Sequence, residues 1–266
     1  METIKYLTDY YCQYCDEDSR LSSRSGSSVE FITTMHYIDR YIKPGDRIIE
    51  IGAATGKYSH TIARKEYIVD AVELLEHNIE IFRKNTQSGE KITIKQGNAM
   101  DLAGFSDNTY DMTLLLGPMY HLYNRNDKLV ALNEAIRVTK QGGLVFVAYC
   151  ISDATILLEF FKVKKFDMND YINKGMINPI TFSTKSEPKD IIELVRKENI
   201  DELLAEFNVT RLHYVATDGY AHHMSESIDK MSGDEFEMYL KYHLATCERE
   251  DMVGISHHVI DVFRKD

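Results

Sequence analysis

Between residues 45 and 150 the chain alternates short apolar runs with amphipathic segments, and this rhythm restricts its fold more than any other feature. Pro44-Gly45-Asp46 makes a turn, and Arg47-Ile48-Ile49-Glu50-Ile51 then reads as a strand buried on both faces. Tyr58 to Lys65 carries Ile62 and Ala63 at helical spacing, and Tyr67 to Val72 is strand-like again. His77 to Asn85 is helical with Ile81 and Phe82 on one face, Lys91 to Lys95 alternates with period two, and Tyr110 to Leu116 is a second buried run. In Lys128 to Val138, Leu129, Leu132, Ala135 and Ile136 share a helix face, and Gln141-Gly142-Gly143 is expected to end that helix with glycine beyond its C-cap. Leu144 to Tyr149 is the fifth strand. Strands and helices in this order predict an α/β fold, an open doubly wound and mostly parallel sheet covered on both faces. Ligands of such a sheet sit outside the carboxyl ends of the strands, near the point where strand order reverses.

The flanks are less regular. Residues 1–40 read as an N-terminal helical cap, and 45–150 as the ligand-binding core. After Cys150 the rhythm breaks: 151–187 has no strong period, Pro188 to Ala205 reads as helical, and Asn208 to Ala216 and His257 to Phe263 read as strands. Segments 151–187 and 218–250 are expected to be helical insertions that roof the site. The 266 residues contain no internal repeat or low-complexity linker, which predicts a single domain.

The first strand runs directly into Gly52-Ala53-Ala54-Thr55-Gly56. Two glycines and two alanines let the backbone approach a ligand closely, and the helix start that follows favours a carboxylate or phosphate. A dinucleotide fingerprint beginning at Gly52 would need glycines where Ala54 and Lys57 stand, which weakens a nicotinamide reading.

Glu50-x-Gly52-x-x-x-Gly56 resembles motif I of the class I S-adenosylmethionine-dependent methyltransferases. Four further landmarks follow in the order of that family. Glu73-Leu74 ends the second strand, and Gly97-Asn98-Ala99 follows the third, with Asn98 where the family usually has Asp. Asp111 opens strand four, with Leu116-Gly117-Pro118-Met119-Tyr120-His121-Leu122 at its mouth. Lys140-Gln141-Gly142-Gly143 resembles the family's Lys-Pro-Gly-Gly turn. Segments around Val29-Glu30-Phe31 and Leu116 to Leu122 are similar to a bacterial branch acting on small molecules. The resemblance implies a seven-stranded, Rossmann-like methyltransferase fold with S-adenosylmethionine as cofactor. It places the methionine part at the loop of Glu50, Gly52, Ala53, Ala54 and Gly56, the ribose at Glu73 and the adenine at Asn98, and it adds Tyr58, Leu74, Ala99 and Leu116 to the cofactor-binding set. A carboxylate suits the two ribose hydroxyls because it accepts two hydrogen bonds side by side. Asp70 is the competing acid, set back inside the strand.

Methyl transfer from a sulfonium needs alignment more than acid–base machinery, so catalytic residues are the least legible part. His121 is the first candidate for a base or acceptor contact, against a structural histidine bonded to a carbonyl. Tyr120 is a candidate for the pocket wall, against simple packing. Tyr58 is open between a cofactor contact and packing. Tyr11 and Arg20 could fold over the site, although a solvated helix face is the simpler reading.

The formal charge of −11 repels a phosphate backbone, which points to a small-molecule acceptor and away from nucleic acid. Four scattered cysteines and no long apolar run or basic leader predict a cytoplasmic chain that does not enter a membrane, as monomer or homodimer. Cys12-x-x-Cys15 lacks a second cysteine pair, and His222-His223 and His257-His258 offer one ligand per pair, so no metal is expected. Two other classes stay open: a nucleic-acid or protein methyltransferase, and a non-catalytic module that binds the cofactor.

Overall fold

The computed structural model describes residues 2–14, 17–21 and 25–266. Three helices open the chain: α1 (Glu2–Gln13), α2 (Glu17–Arg20) and α3 (Ser25–Tyr41). The core follows as β1 (Arg47–Ile51), α4 (Lys57–Ala63), β2 (Ile68–Glu73), α5 (Glu76–Asn85), β3 (Ile92–Gln96), β4 (Tyr110–Leu115), α6 (Arg125–Val138) and β5 (Thr139–Ile151). The sheet order is β3-β2-β1-β4-β5-β8-β7, with β7 (Val209–Ala216) and β8 (His258–Lys265) closing one edge. A two-residue β6 (Leu194–Val195) pairs with the end of β5.

β1 is the centre. It pairs in parallel with β2 on one side and β4 on the other, and Ile48, Ile49 and Ile51 are fully buried. The chain leaves β1 first towards β2 and returns to its other side as β4, so strand order reverses there. A crevice at the carboxyl ends of β1 and β4 follows from that topology. β8 runs antiparallel to both β5 and β7, as expected for a terminal hairpin.

Several local expectations need correction. α6 starts at Arg125 because the Asn124 side chain accepts from Asp127 N–H at 2.9 Å, an N-cap that apolar periodicity does not show. It ends at Val138, and Gly142-Gly143 lie inside the long β5, not beyond a helix cap. A Cβ on Gly143 would stand 2.9 Å from the Asp111 carbonyl oxygen, so glycine there permits the close approach of β5 to β4 at their register shift. Pro188 to Ala205 is one 3₁₀ turn (Pro188–Asp190), β6 and the helix α9 (Lys197–Leu204), not one helix. Within 151–187 lie α7 (Ser152–Thr155), which continues as a π-helical turn over Ile156–Lys162, and α8 (Met168–Asn173). Ile156, Phe160 and Ile177 give that lobe its own small core. Segment 218–250 holds α10 (Ser225–Ile228) and α11 (Gly233–Thr246), and α12 (Glu250–Val253) follows. Ala221 and Ile228 pack on Val29 of α3. No helix among the described residues is long and apolar enough to cross a membrane.

Candidate cofactor site

A cavity of about 460 Å³ opens at the carboxyl ends of β1, β2 and β4. That volume is within the range of small-molecule sites, roughly 300–1,000 Å³. Of the residues expected to form the site, Glu50, Gly52, Ala53, Ala54, Tyr58, Glu73, Leu74, Asn98, Ala99, Leu116, Tyr120 and His121 all line it.

Gly56 does not. It is the N-cap of α4 at φ +90°, and a Cβ there would lie 2.6 Å from both the His60 ring and Phe82. Its glycine is required by helix packing behind the loop, not by closeness to a ligand. Gly52 differs: it has φ +76°, lines the cavity, and leaves no room for a Cβ beside Pro118, which would be 2.6 Å away. Ala54 sits at φ +47°, a left-handed conformation that costs an L residue about 1–2 kcal/mol. Its N–H donates to Glu73 Oε2 at 2.9 Å, which holds the strained turn in place.

Glu73 therefore joins two loops. Besides Ala54, its Oε1 accepts from Leu75 N–H at 2.9 Å and from the Asn78 amide at 3.3 Å. Burial raises its pKa above the usual carboxylate value, and these bonds oppose the shift. Asp70, the competing acid, is absent from the cavity lining and is held by Arg47, Thr93 and Tyr110. Burial works against its ionisation, but those bonds outweigh it and keep its pKa low. The Asn98 side-chain oxygen Oδ1 accepts from Met100 N–H at 3.0 Å, so one lone pair of that oxygen is left for a ligand.

Glu50 points from β1 into the start of α4. Its Oε2 accepts from Ser59 N–H at 2.9 Å and from the Ser59 hydroxyl. One donor of the helix start is thus spent on Glu50 and not aimed into the cavity, as the loop-and-helix pattern had suggested. Burial pushes the Glu50 carboxyl up to about 8, against the Ser59 bonds and with added repulsion from Glu73. The folded chain then keeps this proton where the unfolded chain has lost it, from an ordinary value near 4.5 up to about 8. Stability from this group is full below the lower value and falls as pH rises through the window. Glu50→Gln keeps an acceptor for Ser59, so thermal denaturation should show a smaller loss of Tm between pH 5 and 8 than the wild type. An unchanged loss would mean that Glu50 ionises freely in the fold.

The roof is not the one expected from sequence. Neither 151–187 nor 218–250 supplies a lining residue. Thr3, Ile4, Leu7 and Tyr11 of α1, with Glu17 and Arg20 of α2, close the cavity instead, and Pro188 meets them from the 3₁₀ turn. The Arg20 guanidinium bonds Glu17 at 2.9 Å and Glu30 at 3.0 Å. Tyr11 and Arg20 thus lie on the cavity wall and not on a solvated helix face. Their sequence signal was too weak because their partners, His121 and Glu30, are far away or on another helix. Cys15 lies outside the described residues, and Cys12 is exposed.

His121 is held from both sides. Its Nδ1 lies 2.9 Å from the Ile191 carbonyl oxygen, which accepts only a proton donor, so the ring proton is on Nδ1. Its Nε2 then accepts from the Tyr11 hydroxyl at 3.0 Å. Burial lowers the His121 pKa to about 4, partly offset by the carbonyl bond. The Tyr120 hydroxyl donates to the Leu116 carbonyl at 3.1 Å, and its ring forms the wall. Tyr58 is buried with its ring 5.1 Å from Phe31, so it packs and lines the cavity at once.

Comparison with known proteins agrees with this geometry. Residues 48–143 match the family described as methyltransferase domain. Demethylmenaquinone methyltransferase of Staphylococcus aureus strain JH9 is 30% identical over 129 residues, which is 47% of this chain and 50% of that protein. The chain therefore spans about half the length of the curated relatives it matches. A solved S-adenosylmethionine-dependent methyltransferase from Methanosarcina mazei superposes with TM-score 0.56 at 16% identity, covering 86% of this chain and 96% of the other. The [4+2]-cyclase SpnF superposes with TM-score 0.58 at 17% identity, covering 99% and 93%. At such identities these structures establish the fold and leave the chemistry to the site. The matched region, the strand order and the loop that joins β1 to Glu73 together identify residues 48–143 as a methyltransferase domain, set in a sheet like that of the S-adenosylmethionine-dependent methyltransferases.

Proposed function

We propose that the chain transfers a methyl group from S-adenosylmethionine to a small-molecule acceptor by direct in-line displacement. The observation that carries this reading is one cavity in which the Gly52 loop, Glu73 and Asn98 share walls with the aromatic residues Tyr11, Tyr58, Tyr120 and His121. The first group suits the cofactor, and the second leaves an enclosed, largely apolar wall for an acceptor. When bound, the cofactor supplies an electrophilic methyl group on a sulfonium with a neutral leaving group.

The chain's own residues then bind, orient and exclude water. The backbone of Gly52 to Ala54 approaches the methionine part, Glu73 accepts from the ribose, and Asn98, Ala99 and Leu116 flank the adenine. Tyr120 and Tyr58 limit the acceptor's approach. His121 acts here as a positioning residue: both ring nitrogens are engaged, and a group titrating near 4 is a weak base at neutral pH. The relative named for demethylmenaquinone and the acidic charge of this chain both support a small-molecule acceptor over nucleic acid.

Labelled S-adenosylmethionine supplied with fractionated cell extract tests the proposal, with label expected in small molecules. Label found only in RNA or protein would move the chain to a macromolecular class, and tight cofactor binding without transfer to any fraction would leave a binding module. Tyr11→Phe removes the hydroxyl that ties α1 to His121. It should raise KM about fivefold, the value of one hydrogen bond near 1 kcal/mol, with kcat little changed. A fall in kcat of about 100-fold in His121→Ala, with loss of a limb in the pH–rate profile, would restore His121 as general base.

A further inference from the structure

The sequence offers one imidazole from each of two histidine pairs, and the fold brings those two together beside a buried carboxylate. Asp218 follows β7 and is fully buried. Its Oδ1 accepts from the Ser256 hydroxyl at 2.5 Å and from His257 N–H at 2.9 Å, which fixes the turn into β8. Its Oδ2 lies 2.8 Å from His258 Nδ1 and 3.2 Å from His222 Nε2. The three ligand atoms lie within 4.8 Å of one another. From α3, Glu30 Oε2 approaches the same His258 Nδ1 at 3.5 Å. Alongside, the His257 ring is 5.0 Å from that of His222, and its Nε2 is buried with no hydrogen-bond partner.

We propose that Asp218, His222 and His258 form a three-ligand binding site for a divalent first-row transition metal such as zinc, with its remaining position open to water. The geometry supports it. Tetrahedral bonds of 2.0–2.1 Å place ligand atoms about 3.3 Å apart; the two Asp218 pairs stand at 2.8 and 3.2 Å, and all three ligand atoms lie within 4.8 Å of one another. The charges support it as well. Two carboxylates converge on one imidazole nitrogen that carries at most one proton, whereas a metal ion there would offset the charge of both. Two imidazole nitrogens and one carboxylate oxygen select a borderline metal over Mg²⁺ or Ca²⁺, which prefer all-oxygen cages. Asp218 and His258 stand at the ends of β7 and β8, and His222 reaches them from the turn between. Glu30 also holds Arg20, whose side chain lines the cavity, so a metal beside Glu30 would bear on that wall.

The test is independent of methyl transfer. The whole chain, stripped with chelator and free of cofactor, is titrated with Zn²⁺ in a calorimeter. One saturable site per chain is expected, weakened about 100-fold in His222→Ala and unchanged in Cys12→Ser. His222 is half-exposed, so its variant should melt with the wild type in chelator; His222→Gln serves if the alanine variant does not fold. Absorption of the Co²⁺-loaded chain should show an N/O site without a thiolate charge-transfer band. No saturable binding, equal binding by the His222 variants, or loss of the site in Cys12→Ser would each overturn the proposal.

Discussion

Glu73→Ala is expected to weaken S-adenosylhomocysteine binding by about 100-fold, roughly 3 kcal/mol. Two losses combine. The ribose loses a carboxylate acceptor, and hydrogen bonds to charged groups contribute about 1.5–3 kcal/mol. The Gly52 loop also loses its tether, because Ala54 at φ +47° is held by the bond from its N–H to Glu73 Oε2. Freed of that bond, the turn can relax out of the left-handed region, and binding must then reorder it. Titration calorimetry of the two proteins measures the difference. Asp70→Asn provides the contrast: it should leave affinity near that of the wild type, because Asp70 does not line the cavity. Unchanged affinity in Glu73→Ala would place the cofactor elsewhere.

Gly56→Ala should lower stability by about 2–5 kcal/mol while leaving cofactor affinity of the folded fraction nearly unchanged. Part of this is conformational: φ +90° disfavours any side chain. The rest is overpacking, since the new methyl would lie 2.6 Å from the His60 and Phe82 rings. His60 cannot yield easily, because its Nδ1 is bonded to Glu90 at 2.7 Å and its Nε2 lies 3.2 Å from the Phe82 carbonyl oxygen. For a chain of this size Tm should fall by about 5–15 °C. A variant with wild-type Tm but lost binding would show that Gly56 serves the ligand and not the packing behind it. Residues that look alike in one motif thus separate by role: Gly52 faces the cavity, and Gly56 faces the hydrophobic layer under it.

The sheet was legible because its signal is local. Short apolar runs such as Arg47 to Ile51 and Tyr110 to Leu115 can be buried on both faces only as central strands, and their alternation with helices leaves a single sensible topology. The cavity wall was legible for the same reason: Gly52, Glu73 and Asn98 sit at strand ends, and strand ends are set by sequence. The metal question shows the limit. A period-two strand turns His257 and His258 to opposite faces, yet sequence cannot tell that His222 from a loop and Asp218 from the end of β7 arrive beside His258. The roof was misread because helical segments without a strong period carry no address.

By itself, then, the sequence determined the order of strands and helices, the end of the sheet at which the cavity opens, and the loop residues that line it. Burial of apolar runs and the steric demands of glycine act over a few residues, so they can be read along the chain. Only the tertiary structure decided which helices close the cavity, that His121 is tied by Tyr11 and Ile191, and that Glu50 is buried deeply enough to hold its proton to about pH 8. Those outcomes depend on desolvation and on contacts between residues far apart in sequence, and such energies exist only once the packing is complete.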